Sequence, residues 1–200
     1  MNIIIDIIFV IFSYLLGSVP TGLIISKYFF NVDIQKVGSG NIGATNVART
    51  LGKKVGILTL IGDALKGIIP VVIVKLYEPY PINQTLIFFC ALASFFGHLF
   101  PIYLKFKGGK GVATALGIFI VLFPLQTLIC ALLFFITVYL TRYVSLGSIS
   151  AAILMPILIS FRAQDSYQIA LSIIIGLSIV IRHKDNIHRL LEGKENKLKL

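Results

Sequence analysis

The sequence predicts an all-α, polytopic integral membrane protein with seven transmembrane helices, its N-terminus outside and its C-terminus cytoplasmic. Three observations carry this. Of 200 residues, 57% are hydrophobic and only 13% charged, about half the ~25% charge of ordinary soluble domains, which excludes a soluble fold. Apolar runs close to the ~20 residues that cross a bilayer follow one another with short connections. They leave no stretch for a water-soluble domain, so residues 1–200 are expected to form a single membrane-embedded domain. The formal charge of +10, from 18 Lys and Arg against 8 Asp and Glu, reports orientation first. It next points to membrane lipids or phosphate-bearing partners, and no nucleic acid partner is expected.

The first span is expected from Ile3 to Ile25. Asp6, the lack of a basic leader and the length of the run argue for a retained helix over a cleaved signal. Further spans fall near Val55–Tyr77, Gln84–Leu104, Val144–Phe161 and Tyr167–Ile181. The long run Val112–Leu140 is divided at Pro124, because only that break satisfies the distribution of positive charge. With it, Lys27, Lys36, Arg49, Lys53, Lys54, Lys105, Lys107, Lys110, Arg142 and six basic tail residues share the cytoplasmic face. These are 15 of the 18 Lys and Arg. Val112–Phe123 then rises only ~18 Å, short for a ~30 Å hydrocarbon core, and requires local thinning or burial by neighbours. In this topology a cysteine at Glu78 reacts from outside and one at Lys197 only from the cytoplasm. Cys90 and Cys130 both lie in apolar runs, which offers neither a disulfide framework nor a thiolate metal site.

Three polar segments fall on the inner face. GSGNIGATNVARTLG, from Gly38 to Gly52, combines glycines that permit close backbone approach with Ser39, Asn41, Thr45 and Asn46, a composition suited to an oxyanion cradle. Its Gly38–Gly43 spacing imitates a P-loop, but Ala44 and Thr45 replace the required Lys and Ser/Thr, and no strand precedes it. A flexible connector would share the glycines, whereas Arg49 adds a forked, permanent charge beside them. KFKGGKG, Lys105–Gly111, sets Lys107 and Lys110 around Gly108 and Gly109 at a helix N-terminus, where free N–H groups favour an anion. A purely topogenic basic loop is the competing reading. RHKDNIHRLLEGKE, Arg182–Glu195, places Ile187, Leu190 and Leu191 at helical spacing and reads as an interfacial amphipathic helix. Arg182, Asn186 and Arg189 occupy an adjoining stripe, with His183 three residues before Asn186. A lipid-headgroup anchor is the alternative, and His188 is expected in solvent.

Within the membrane, Asp63 and Lys66 stand three apart on one helix face, either as a functional pair or as a lock on helix packing. His98 reads as a satisfied buried histidine, with Gly97 marking a close helix contact. Scattered histidines and few acids offer no metal constellation. G-x-S-x-G is absent, and so is the H-x-x-x-x-D of many glycerolipid acyltransferases, since Tyr103, His188 and Gly193 follow the three histidines at that distance. What remains is rich in phosphate-binding groups and poor in nucleophiles. Such a site can catalyse transfer from a substrate that arrives activated. A carrier for organic phosphates would use the same basic face, but it should line a path with polar groups that most of these spans lack.

GSGNIGATNVARTLG, GDALKG, GHLFPIYLKFKGGKGVAT and RHKDNIHRLLEGKE resemble, in the same order and over essentially the whole chain, the signature segments of the bacterial acyl-phosphate:glycerol-3-phosphate acyltransferase family. The resemblance implies a seven-span enzyme of the bacterial inner membrane with its active site on the cytoplasmic face. Its implied reaction, an early step of phospholipid biosynthesis, moves a fatty acyl group from acyl phosphate to the 1-hydroxyl of sn-glycerol 3-phosphate, without cofactor or metal. Residue by residue, it implies catalytic roles for Ser39, His183 and Asn186. Substrate-binding roles fall to Gly40, Asn41, Thr45, Asn46, Arg49, Lys107, Gly108, Gly109, Lys110 and Arg189. Relatives associate the glycine pair with glycerol 3-phosphate, which places acyl phosphate nearer the first loop. The chain departs from the family's pattern at Ile42, where many relatives carry proline, a difference that bears on the rigidity of the cradle and not on its chemistry. No acid lies in the first or second polar segment as a base. A substrate phosphate is therefore expected to take the proton, with His183 orienting a phosphate.

Overall fold

The computed structural model describes residues 3–77, 83–163 and 165–198; Glu78 and Lys199 lie outside them. The described residues divide into two compact units, Met1–Val121 and Leu122–Leu200.

The first unit contains α1 (Ile3–Ser18), α2 (Thr21–Phe30), α3 (Ala44–Leu51), α4 (Lys53–Tyr77), α5 (Gln84–Leu99) and most of α6 (Val112–Leu122). The expected first span is not one straight helix. Pro20 has no amide hydrogen and disfavours helical geometry at Val19, so α1 and α2 meet at 44° and the helical chain runs on to Phe30 instead of stopping at Ile25. Apolar attraction between helices vanishes in lipid, and close packing takes its place. A Cβ on Gly17 would strike the Ser94 backbone and one on Gly97 the Tyr14 carbonyl, so α1 and α5 touch backbone to backbone. Gly67 and Gly117 bring α4 and α6 together in the same way, against Thr114 and Ala64. Hydroxyls then bond across the crossings: Ser94 Oγ donates to the Lys66 carbonyl at 2.6 Å and Thr114 Oγ1 to the Asp63 carbonyl at 3.0 Å. Ile3, Ile4, Ile7, Ile8 and Ile11 are exposed along α1, as expected of a face turned toward hydrocarbon.

The second unit contains α7 (Pro124–Thr141), α8 (Val144–Ser160), α9 (Ser166–Arg182) and α10 (Lys184–Leu191). The break at Pro124 is present: α6 ends at Leu122, and Pro124 takes the first helical position of α7, where its missing amide hydrogen costs nothing. Asp165 caps α9, accepting from the Gln168 amide at 3.0 Å. The tail segment Arg182–Glu195 is not one helix. Arg182 ends α9, the chain turns by 55° at His183, and α10 stops at Leu191 before Gly193 takes a φ of +69°. Leu191 is 83% exposed, so the expected apolar stripe is only partly covered.

Lys53–Tyr77, Gln84–Leu104 and Pro124–Thr141 are long and apolar enough to cross a membrane singly, and the bent pairs α1–α2 and α9–α10 each qualify when joined. Val112–Leu122 and Val144–Ser160 are shorter apolar helices.

Candidate functional site

The first polar segment is built around Asn46. Its side chain is 2% exposed, and its Nδ2 donates to the carbonyls of Ile34, Val37 and Asn41 at 3.2, 3.0 and 3.0 Å, while Oδ1 accepts from the Ser39 amide at 2.9 Å. One residue of α3 thereby fastens the entire loop that precedes it, and its amide hydrogens are committed to the fold. Asn41 adds a second clamp, with Oδ1 accepting from the Gly43 amide at 2.9 Å just before α3 begins. Gly38 must be glycine on two counts: its φ is +60°, and a Cβ there would collide with Asn46 Oδ1.

Beneath the loop, Ile34, Ile42, Val47 and Val55 form a buried cluster. Ile42 is 4% exposed and its carbonyl lies where a Cβ of Gly22 would be, so apolar burial holds this part of the loop in place. The loop presents Ser39 and Arg49 on an exposed surface and Thr45 half-buried at the start of α3. The Ser39 and Thr45 hydroxyls make no hydrogen bond among the described residues, in contrast to Asn46.

Leu104 packs against the same apolar cluster, which brings the second polar segment to the first within this unit. Here the chain folds back on the end of α5: the amides of Gly108 and Gly109 donate to the carbonyls of Leu99 and His98, each at 3.1 Å. Neither glycine tolerates a side chain. A Cβ on Gly108 would overlap the His98 and Leu99 carbonyls, and one on Gly109 the His98 imidazole. Lys105 and Phe106 take φ values of +51° and +63° in succession, a conformation that non-glycine residues adopt rarely. This turn leaves Lys107 exposed and Lys110 half-buried beside Gly111, the residue before α6. The glycines thus serve close packing of the turn as well as any approach by a ligand.

In the second unit, the third segment closes on a residue that the sequence reading passed over. Glu195 is buried, and its Oε1 accepts from Ser145 Oγ at 2.8 Å and Asn186 Nδ2 at 2.7 Å, while Oε2 accepts from Arg189 Nε at 2.7 Å. Burial alone would push the Glu195 carboxyl up. The bonds from Asn186, Ser145 and Arg189, together with the guanidinium charge, outweigh it and hold the carboxyl below its usual 4.5. Asn186 and Arg189, expected to act on substrate, are therefore also the partners of this carboxylate. The one signal available in the sequence was Gly193, which ends α10 and lets the chain double back; Leu198 N then reaches the Arg142 carbonyl at 2.8 Å.

His183 is 3% exposed, and its Nδ1 lies 2.8 Å from the Ile179 carbonyl. A carbonyl only accepts, so Nδ1 carries the proton, and in the neutral ring Nε2 carries the lone pair. His188 stands in solvent as expected, its side chain 74% exposed and 3.0 Å from Glu192.

The pattern of the family described as glycerol-3-phosphate acyltransferase matches residues 7–193. A glycerol-3-phosphate acyltransferase of Syntrophotalea carbinolica is 51% identical over 94% of this chain and 94% of its own length. One from Fusobacterium nucleatum is 47% identical over 96% of this chain and 97% of its own. Among solved structures, the crystal structure of PlsY, an integral membrane glycerol 3-phosphate acyltransferase, in its glycerol 3-phosphate form superposes with a TM-score of 0.91. That match has 43% identity and covers 97% of this chain and 96% of that one. The lysophosphatidic acid form of PlsY gives a TM-score of 0.89 at 42% identity, over 97% of this chain and 95% of that one. Matched along nearly its whole length in sequence and in fold, this chain is an integral membrane protein and belongs to the glycerol-3-phosphate acyltransferase family.

Proposed function

We propose that the protein transfers a fatty acyl group from acyl phosphate to the 1-hydroxyl of sn-glycerol 3-phosphate, releasing 1-acylglycerol 3-phosphate and inorganic phosphate. The observation that carries this reading is the pair of braced turns in the first unit, one fastened by Asn46 and one folded onto α5 through Gly108 and Gly109, each flanked by a basic side chain. Two phosphate-bearing substrates need two such grips. The relatives are named for the acceptor, and PlsY is described in forms with that acceptor and with lysophosphatidic acid.

In the reaction the acceptor hydroxyl oxygen attacks the acyl carbonyl carbon. The new ester C–O bond forms, the anhydride bond to phosphate breaks with its electron pair, and phosphate departs. The anhydride arrives activated, so the protein's task is to position both substrates and to stabilise charge on the carbonyl and leaving oxygens. Ser39, Gly40, Asn41, Thr45 and Arg49 serve the acyl phosphate, with Asn46 holding their loop. Lys107, Gly108, Gly109 and Lys110 serve glycerol 3-phosphate. Asn186 and Arg189 act through the Glu195 cluster. With Nδ1 bonded to the Ile179 carbonyl, the neutral His183 ring accepts a hydrogen bond through Nε2 from the non-reacting 2-hydroxyl of glycerol 3-phosphate, which orients the acceptor and leaves the 1-hydroxyl proton for a phosphate. A phosphate oxygen takes the proton.

Purified protein should release phosphate only when acyl phosphate and glycerol 3-phosphate are both present, and acyl-CoA or acyl-carrier protein should not replace the donor. Turnover with those donors alone would overturn the assignment. Arg49→Ala and Lys107→Ala should each lose a charge-assisted contact of roughly 1.5–3 kcal/mol, about 10- to 150-fold in kcat/KM. Arg49→Lys should be damaging too, since an ammonium lacks the planar fork. Wild-type kinetics for both alanine variants would remove these residues from phosphate binding.

Residues 1–200 act as one acyltransferase domain of the bacterial inner membrane, with seven spans and the polar segments cytoplasmic. The α1–α2 pair, α4, α5, α6, α7, α8 and α9 supply the spans, and the positive-inside rule sets their direction. With Cys90 and Cys130 replaced, Arg162→Cys should label from outside in intact cells and Lys197→Cys only after permeabilisation. Labelling of Lys197→Cys in intact cells would overturn the topology.

A further inference from the structure

Behind the second polar segment, inside the bundle of the first unit, lies a buried cluster that the reaction as described leaves without a role. Lys66 Nζ is 2.6 Å from Asp63 Oδ1, both side chains are at most 4% exposed, and His98 Nδ1 is 3.4 Å from the same Nζ and 3.8 Å from the same carboxylate oxygen. An ammonium has only donors, so it bonds Nδ1 only when that nitrogen carries the lone pair, which puts the ring proton on Nε2. The ring is thereby fixed in plane and tautomer from behind. Its opposite edge meets Gly109: a Cβ there would overlap Nε2 and come within 3.0 Å of Cε1 and 3.1 Å of Cδ2. The His98 carbonyl also accepts the Gly109 amide at 3.1 Å, so His98 holds the turn by side chain and backbone together.

We infer that Lys66 and His98, with Asp63, are positioning residues for the acceptor: the buried ion pair fixes the imidazole, and the imidazole sets the position of the Gly108–Gly109 turn that receives glycerol 3-phosphate. This rests on the function proposed above. A pair that only locked α4 to its neighbours would affect stability, or all kinetic constants together. A pair that tunes one turn changes affinity for one substrate, because displacing that turn misplaces one phosphate and leaves the donor's loop alone. The geometry supports the second outcome, since the His98 ring is the surface against which the glycine turn is packed. The donor's loop is braced separately, through Asn46.

Replacing Asp63 and Lys66 together, as Asp63→Leu with Lys66→Met, removes both charges and leaves no unpaired charge in the interior. The double variant should keep its thermal midpoint within a few degrees of wild type. Its KM for glycerol 3-phosphate should rise about 10-fold, with kcat and the KM for acyl phosphate within about twofold. Gly109→Ala should raise the acceptor KM further, and His98→Ala in the same chain should recover part of that loss by making room for the added methyl. An unchanged acceptor KM in the double variant, equal shifts in both KM values, or failure of His98→Ala to relieve Gly109→Ala would each overturn the inference while transfer by the wild type leaves the proposed function standing. Absence of transfer by the wild-type protein would overturn both.

Discussion

Glu195→Ala is expected to lower the thermal midpoint of the detergent-solubilised protein by roughly 6–12 °C, the effect of about 3 kcal/mol in a chain of this length. The buried carboxylate accepts three hydrogen bonds, and its removal leaves the buried Ser145 and Asn186 side chains without that partner. The effect lies at the lower end for a broken buried ion pair because Arg189 is 35% exposed and can turn to water. Glu195→Gln should be intermediate, since its amide keeps one acceptor oxygen but sets N–H against a donor. The carboxyl is held below its usual 4.5, so the folded state binds this proton more weakly than the unfolded state does. Its stabilisation is therefore complete above the unfolded value and is lost as pH falls through the lower folded value. Wild-type and Glu195→Ala midpoints should accordingly converge on acidification and stay apart at neutral pH. Thermal melts from neutral to acidic pH check this, and a gap that does not narrow at low pH would refute the assignment.

His183→Ala should reduce turnover by about 10²-fold, the scale of losing the orientation of a reacting group. His183→Gln should recover part of it, because its side-chain oxygen can accept from the 2-hydroxyl of the acceptor where Nε2 does in the wild type. The 2.8 Å bond from Nδ1 to the Ile179 carbonyl leaves the lone pair of the neutral ring on Nε2, on the other side of the imidazole. The measurement is turnover against pH at saturating substrates for wild type, His183→Gln and His183→Ala. Should both variants be equally impaired by about 10²- to 10⁴-fold and lose the acidic limb, His183 is the general base and proton transfer to a substrate phosphate is wrong.

The membrane class, most helices and the family were legible in the sequence because each depends on composition or on residues close together in the chain. An apolar run declares itself regardless of its partners, and Pro124 breaks a helix by its own covalent structure. Pro20 carried the same signal, yet the first span was read through it because the run stays apolar on both sides. The segment after Gly38 was legible as a polar, glycine-rich loop, but not the division of labour inside it. Asn46 and Ser39 are both small polar residues, and only contacts to Ile34, Val37 and Asn41 show that one builds the loop while the other faces outward.

By itself, the sequence determined that this chain lives in a bilayer, which family it belongs to, and where its polar segments fall along the chain. Tertiary structure decided which of those polar groups are committed to one another. It made Glu195 the centre of the third segment across 50 residues from Ser145, and it set His98 between the Asp63–Lys66 pair and Gly109. It also fixed the proton of His183 on Nδ1. The physical reason is that burial of a charge or a polar atom is tolerable only with partners. Residue type announces the need for a partner, but only the packing of distant segments, through glycines that let backbones touch, determines which partner meets it.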